Sequence, residues 1–159
     1  RGSGGTARVG EVSDLSDAPS EIEALYREVV LEHYRNPRNR APLERPSSEA
    51  LVSNPVCGDQ VRVEVELDSG RIAAVSARAR GCSIAVAAAS VMTELVKGLE
   101  PEAAIALGEQ AARIARGEPT PAEADARLRA FARVAALPSR QRCATLAWEA
   151  LGECLKPPG

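Results

Sequence analysis

The spacing of hydrophobic and polar positions changes period along the chain, and each change marks a predicted element. "SEIEALYREVVLEHYR" sets Ile22, Leu25, Val29 and Val30 at helical spacing. Ser20 and Glu23 form a capping box at its start. "NPRNRAP" ends it, because a residue before proline is pushed away from helical dihedrals. A polar connector runs to about Glu49. "VRVEVELDSGRIAAVSARARG" then alternates with period two, with Val61, Val63, Val65 and Leu67 opposite Arg62, Glu64 and Glu66. "DSG" is a hairpin turn, and Ala73, Val75, Ala77 and Ala79 continue the buried face on the return strand. "ALVSN" supplies a third, shorter strand.

After Gly81 the helical period returns. "CSIAVAAASVMTELVKG" places Ile84, Ala88, Val91 and Leu95 on one stripe and stops at Gly98. "PEAAIALGEQAARIARG" follows, with Pro101 in its first turn, where the missing N–H costs nothing. "EPTP" separates it from a third helical stretch, "AEADARLRAFARVAA", which "LPS" breaks. Ser139 then caps "RQRCATLAWEALGECL", with Cys143, Ala147, Ala150 and Leu151 on one face. Strands first and helices after predict an α+β fold. A small antiparallel three-stranded sheet packs against about five helices. Residues 20–156 read as one domain, and 1–19 as a flexible tail or cloning remnant.

Composition changes this picture in two respects. Of 159 residues 45 % are apolar and 26 % charged, which is ordinary, but aromatics are only 3 %. The core must therefore be built from Val, Leu, Ile and Ala. The net charge of −2 leaves no electrostatic footprint for nucleic acid or an anionic membrane. Arginine far outnumbers lysine, which occurs only at Lys97 and Lys156. No stretch is apolar for long enough to span a bilayer, and no signal peptide is visible. Cys57, Cys82, Cys143 and Cys154 are widely spaced, as expected of a cytoplasmic protein whose thiols bind metal or do sulfur chemistry.

Three of these thiols fall at element boundaries that a layered fold can gather at one end. Cys57 and Asp59 lie in "NPVCGD" before the first long strand, Cys82 where the return strand becomes a helix, and Cys143 in the first turns of the last helix. Three thiolates and a carboxylate suit zinc, and three thiolates with an exchangeable ligand also suit an iron–sulfur cluster. Helix N-termini favour the thiolate at Cys82 and Cys143, and Arg140 and Arg142 add positive charge. Small core thiols remain the alternative, since no tight CxxC pair occurs. Cys154 takes that role: it is about 16 Å further along the helix axis than Cys143. His33 reads as a polar helix residue, Glu123 and Asp125 as a solvated helix face, and Trp148 as core or groove lining.

Four segments in order carry a more specific signal: "LYREVVLEHYRNPRN", "NPVCGD", "RGCSIAVAAASVMTELVKG" and "RCATLAWEAL". Together they resemble the U-type iron–sulfur assembly proteins, the family of IscU, SufU and the N-terminal domain of NifU, from about Leu25 to Leu151. The resemblance implies Cys57, Asp59, Cys82 and Cys143 as metal ligands. IscU-like members carry a histidine before the third cysteine and a Leu-Pro-Pro-Val-Lys motif; here Arg142 and "LPSRQRC" stand there, and the preceding segment is longer. These features resemble the SufU branch. That branch implies bound zinc, a SufS-type cysteine desulfurase as sulfur donor and a downstream scaffold as recipient. Cys57 would be the attacking thiolate, with Arg140 beside the zinc site, and no turnover is expected without the desulfurase. A scaffold holding a transient Fe–S cluster is the alternative. Ala85 and Ala88 stand where that pattern commonly has serines.

Overall fold

The first helical stripe forms α1, Glu21–Arg35, which buries Val29, Val30 and His33 against the central helix. Identified as a computed structural model, the structure describes residues 21–157. The expected Ser20 cap and the expected tail 1–19 lie outside that range. β1 (Ser48–Ser53), β2 (Gln60–Asp68) and β3 (Arg71–Arg80) follow, then α2 (Ser83–Val96), α3 (Pro101–Ala115), α4 (Ala126–Arg129) and α5 (Gln141–Leu155). Among the described residues this is an α+β fold with one three-stranded antiparallel sheet in the order β1-β2-β3.

Val61, Val63 and Val65 are fully buried on the inner face of β2. α5 covers that face and buries Leu146 and Leu151 completely, each contributing roughly 1.5–3 kcal/mol relative to exposure. The hairpin closes through Ser69 and Gly70, both with positive φ, so the turn follows the strand twist. Its far end departs from the predicted alternation. A bulge between Glu66 and Leu67 sets Glu66 opposite Ala74 and Leu67 opposite Ile72. Ala73 is the extra residue, so Ile72 takes the core position and both Leu67 and Ala73 face solvent. Ile72 is further fixed by reciprocal backbone bonds to Gly98 and Leu99 at 2.8 Å each.

Two helical expectations need correction. "AEADARLRAFARVAA" is not one helix. Asp125 accepts the amide of Arg127 and starts the single turn of α4, after which Ala130–Ala136 continues as 3₁₀. Asp125 is thus an N-cap, not part of a solvated face. Ser139 caps nothing: it lies in the 3₁₀ turn Pro138–Arg140, and Arg140 occupies the N-cap of α5 without a side-chain cap bond. His33 lies within α1 and outside the thiol cluster, as expected. It is buried, and its Nδ1 lies 2.7 Å from Ser90 Oγ, tying α1 to α2. No described helix is long and apolar enough to cross a membrane.

Candidate metal centre

The loop from β1 to β2 is built around Asn54. Its carbonyl accepts the Gly58 amide at 2.7 Å, its side chain accepts the Val56 amide at 3.1 Å, and its own amide donates to the Asp59 carbonyl at 2.8 Å. Gly58, at φ +80, makes the reversal that a side chain would resist. Cys57 therefore sits at an exposed tip, beside Val56, which is 91 % exposed. Asp59, two residues on, is turned inward and only 5 % exposed.

Gly81 lets that carboxylate in. Its φ is +149, and a Cβ built there would overlap the Asp59 carboxylate. Cys82 is the N-cap of α2 but makes no side-chain cap bond, and its thiol instead donates to Asp59 Oδ2 at 3.4 Å. Cys143 is the third residue of α5 and 1 % exposed. The ligand atoms of Cys57, Asp59 and Cys143 all lie within 4.8 Å of one another. Sulfurs around a tetrahedral zinc at about 2.3 Å would stand about 3.8 Å apart, so a small contraction suffices. Cys82, the fourth expected ligand, does not fall within that mutual distance and touches the group only through Asp59. Strand end, loop tip and two helix starts thus meet at one end of the fold.

The electrostatics differ from expectation at Cys143. Burial pushes its thiol well above the usual range, and hydrogen bonding to Asp59 and the proximity of Cys82 push the same way. Without a bound cation, desolvation outweighs the helix N-terminus there. Arg140 has its guanidinium pKa raised, first by a hydrogen bond to Cys82, then by the charges of Cys82, Cys143 and Asp59. Arg142 turns away, making two bonds to Glu149 at 3.0 and 3.1 Å. Cys154 lies apart from the cluster, buried in the core with Sγ 3.4 Å from the Val63 carbonyl. Trp148 is core and groove lining. Asn54 and Gly81 carry the site without being ligands. Only the Asn-Pro…Gly pattern and a glycine directly before Cys82 hint at them in the sequence.

The family model described as the NifU-like N terminal domain matches residues 25–156. The zinc-dependent sulfurtransferase SufU of Bacillus subtilis is 35% identical over 133 residues, 83% of this chain and 90% of that protein. The iron–sulfur cluster assembly scaffold protein IscU of Streptococcus pyogenes is 34% identical over 140 residues, 87% of each chain. A crystal structure described only as that of a hypothetical protein superposes with a TM-score of 0.78 at 33% identity, covering 84% of this chain and 98% of the other.

Proposed function

We propose a sulfur-relay function in iron–sulfur cluster assembly for this chain, which belongs to the family of NifU-like N-terminal domains. The donor is the persulfide of a SufS-type cysteine desulfurase, and the recipient is a downstream scaffold. Residues 20–156 act as one domain. The cytoplasm is the expected compartment, since relay thiols must stay reduced. One observation carries the reading: of the clustered side chains Cys57 alone stands exposed at a loop tip, while Asp59 and Cys143 are buried behind it.

The donor set fits zinc, with Cys57, Asp59, Cys82 and Cys143 holding it. Bound zinc would keep these thiols deprotonated at neutral pH. The Cys57 thiolate attacks the outer sulfur of the donor persulfide. A new S–S bond forms on Cys57, the donor's S–S bond breaks, and its electron pair returns to the desulfurase cysteine as thiolate. Arg140, whose charge is felt by Cys82, Cys143 and Asp59, offsets negative charge at the cluster as Cys57 turns outward.

Alanine formation from cysteine by the cognate desulfurase, without iron, tests the relay. Zinc-loaded protein stimulates it, and Cys57→Ala loses the stimulation. Equal stimulation by the variant overturns the assignment of the acceptor. The scaffold reading has its own support in the 34% identity to the Streptococcus pyogenes protein named as a scaffold. It predicts a visible chromophore after anaerobic addition of iron and sulfide, lost in Cys82→Ala and Cys143→Ala.

A further inference from the structure

Six arginines gather around one sheet edge although the whole chain carries a net charge of −2. Two hollows flank β3. One, of about 280 Å³, is lined by Arg35, Arg38 and Arg40; the other, of about 310 Å³, by Arg40, Arg62, Arg78 and Arg80. Arg40 and Ala79 line both, so the hollows form one trough wrapped over the edge strand.

Its charge is only partly offset within the chain. Arg62 pairs with Glu49 at 2.8 Å, Arg78 with Glu64 at 3.2 Å, and Arg38 with both Glu32 at 2.7 Å and Glu94 at 3.4 Å. Arg35, Arg40 and Arg80 have no carboxylate partner among the described residues. The strand register sets Arg62 directly opposite Arg78, and Glu49 and Glu64 offset that like-charge pair. Arg38 Nη1 is buried with no hydrogen-bond acceptor. Along the edge the Ala77 amide points outward to the Asn39 carbonyl. The Ala79 amide, two residues on, points the same way, with no backbone acceptor opposite it among the described residues.

We propose that this trough docks an extended acidic segment of the sulfur-donating protein, which pairs with the Ala79 edge while its carboxylates engage Arg40 and Arg80. The proposal rests on the sulfur-relay reading. The trough ends at the metal centre, since Gln60 follows Asp59 and Arg80 precedes Gly81 and Cys82 in the chain. A segment held there brings its parent protein to Cys57. The run of charge is too long for one small anion, and an extended chain matches both the length and the open strand edge.

Two readouts separate the docking surface from the relay. In the first, amide resonances of the zinc-loaded protein are followed while a short oligoglutamate peptide is added at low salt. Arg40, Ala79 and Arg80 shift, the shifts fade with added salt, and Arg40→Glu/Arg80→Glu weakens binding about tenfold or more. No shifts, shifts confined to other surfaces, or tighter binding of a single-stranded oligonucleotide each overturn the proposal. In the second, the double variant raises the concentration giving half-maximal desulfurase stimulation about tenfold, with maximal rate and zinc content unchanged. A fall in maximal rate at unchanged half-saturation overturns it. Absence of stimulation by the unaltered protein defeats the relay reading, and the peptide titration still judges the trough.

Discussion

Gly81→Ala tests the architecture of the metal centre without touching a candidate ligand. At φ +149 an alanine meets a backbone cost of about 1–3 kcal/mol, because an L side chain rarely adopts that region. Its Cβ also overlaps the Asp59 carboxylate, so one group must move. The backbone at 81 is bound between β3 and α2, whereas the Asp59 carboxylate can rotate away and leaves only its Cβ, at 2.9 Å, to be relieved by a small shift. The carboxylate therefore swings out, losing its contact with Cys82 and its place among the clustered atoms. Loss of a positioning contact lowers metal affinity about 10–100-fold. In a domain of this size each kcal/mol moves Tm by about 2–4 °C, so the zinc-free variant melts roughly 2–12 °C lower. Competition with a chromophoric chelator reads the affinity, and thermal unfolding in excess chelator reads the backbone cost. Repeating Gly81→Ala in an Asp59→Gly background isolates the overlap: with the carboxylate and its Cβ both gone, the substitution costs only its backbone share. Zinc affinity within twofold of the unaltered protein would refute the packing of Asp59 on Gly81.

Three further outcomes follow from the same structure. His33 is the only histidine, and burial, with Arg38 next, holds its pKa below the ordinary 6.5. The unfolded chain then binds the proton first, so metal-free stability is complete above about pH 6.5 and declines as pH falls toward the lower folded value. Denaturant unfolding across that window should show this slope, and His33→Gln should flatten it; an unchanged slope assigns it elsewhere. Zinc binding at pH 7 should release protons, including one from the buried thiol of Cys143, read by calorimetry in buffers of differing ionisation enthalpy. Release undiminished in Cys143→Ala would remove that residue from the site. Cys154→Ala should keep full zinc stoichiometry and cost about 1 kcal/mol, as small deletions in a packed core do.

Much of this was legible because periodicity reports burial directly. Val61, Val63 and Val65 alternate and are buried, and the small-residue run after Cys82 forms the central helix. Periodicity failed where backbone geometry, not side-chain pattern, decides. A bulge moved Ile72 inward and Ala73 outward without breaking the apolar character of either strand. An apolar stretch long enough for a helix became one α-turn and a 3₁₀ segment because Asp125 starts it late. At the site, boundary positions were readable and couplings were not. No pattern in the sequence announces that Gly81 lies under Asp59, or that burial at Cys143 outweighs the helix start. The burial of His33 is not legible locally, because its partner Ser90 lies 57 positions away.

The clustered thiols are not equivalent, and the elements that hold them assign different work. Cys143 belongs to the first turn of a 15-residue helix whose inner face is packed on the sheet. Moving its sulfur to the surface means unwinding that turn and exposing Ala144 and Leu146, which are buried beside it. Cys82 begins α2, and its displacement would disturb the Asp59 contact at 3.4 Å. Cys57 is held only through a loop pinned by the three local bonds of Asn54, with nothing packed over its neighbour Val56. Its outward rotation exposes no core. The proposed relay needs one sulfur that moves and others that stay, and Cys57 is the one whose loop leaves it exposed. Asn54→Ala removes the side-chain bond to the Val56 amide and keeps the two backbone bonds, so it should disturb the relay more than the fold, loosening the loop tip and leaving α2 and α5 in place. It should lower maximal desulfurase stimulation while Tm falls only a few degrees. A fall in Tm as large as that of Gly81→Ala, with stimulation intact, would show that the loop serves the fold and not the moving thiol.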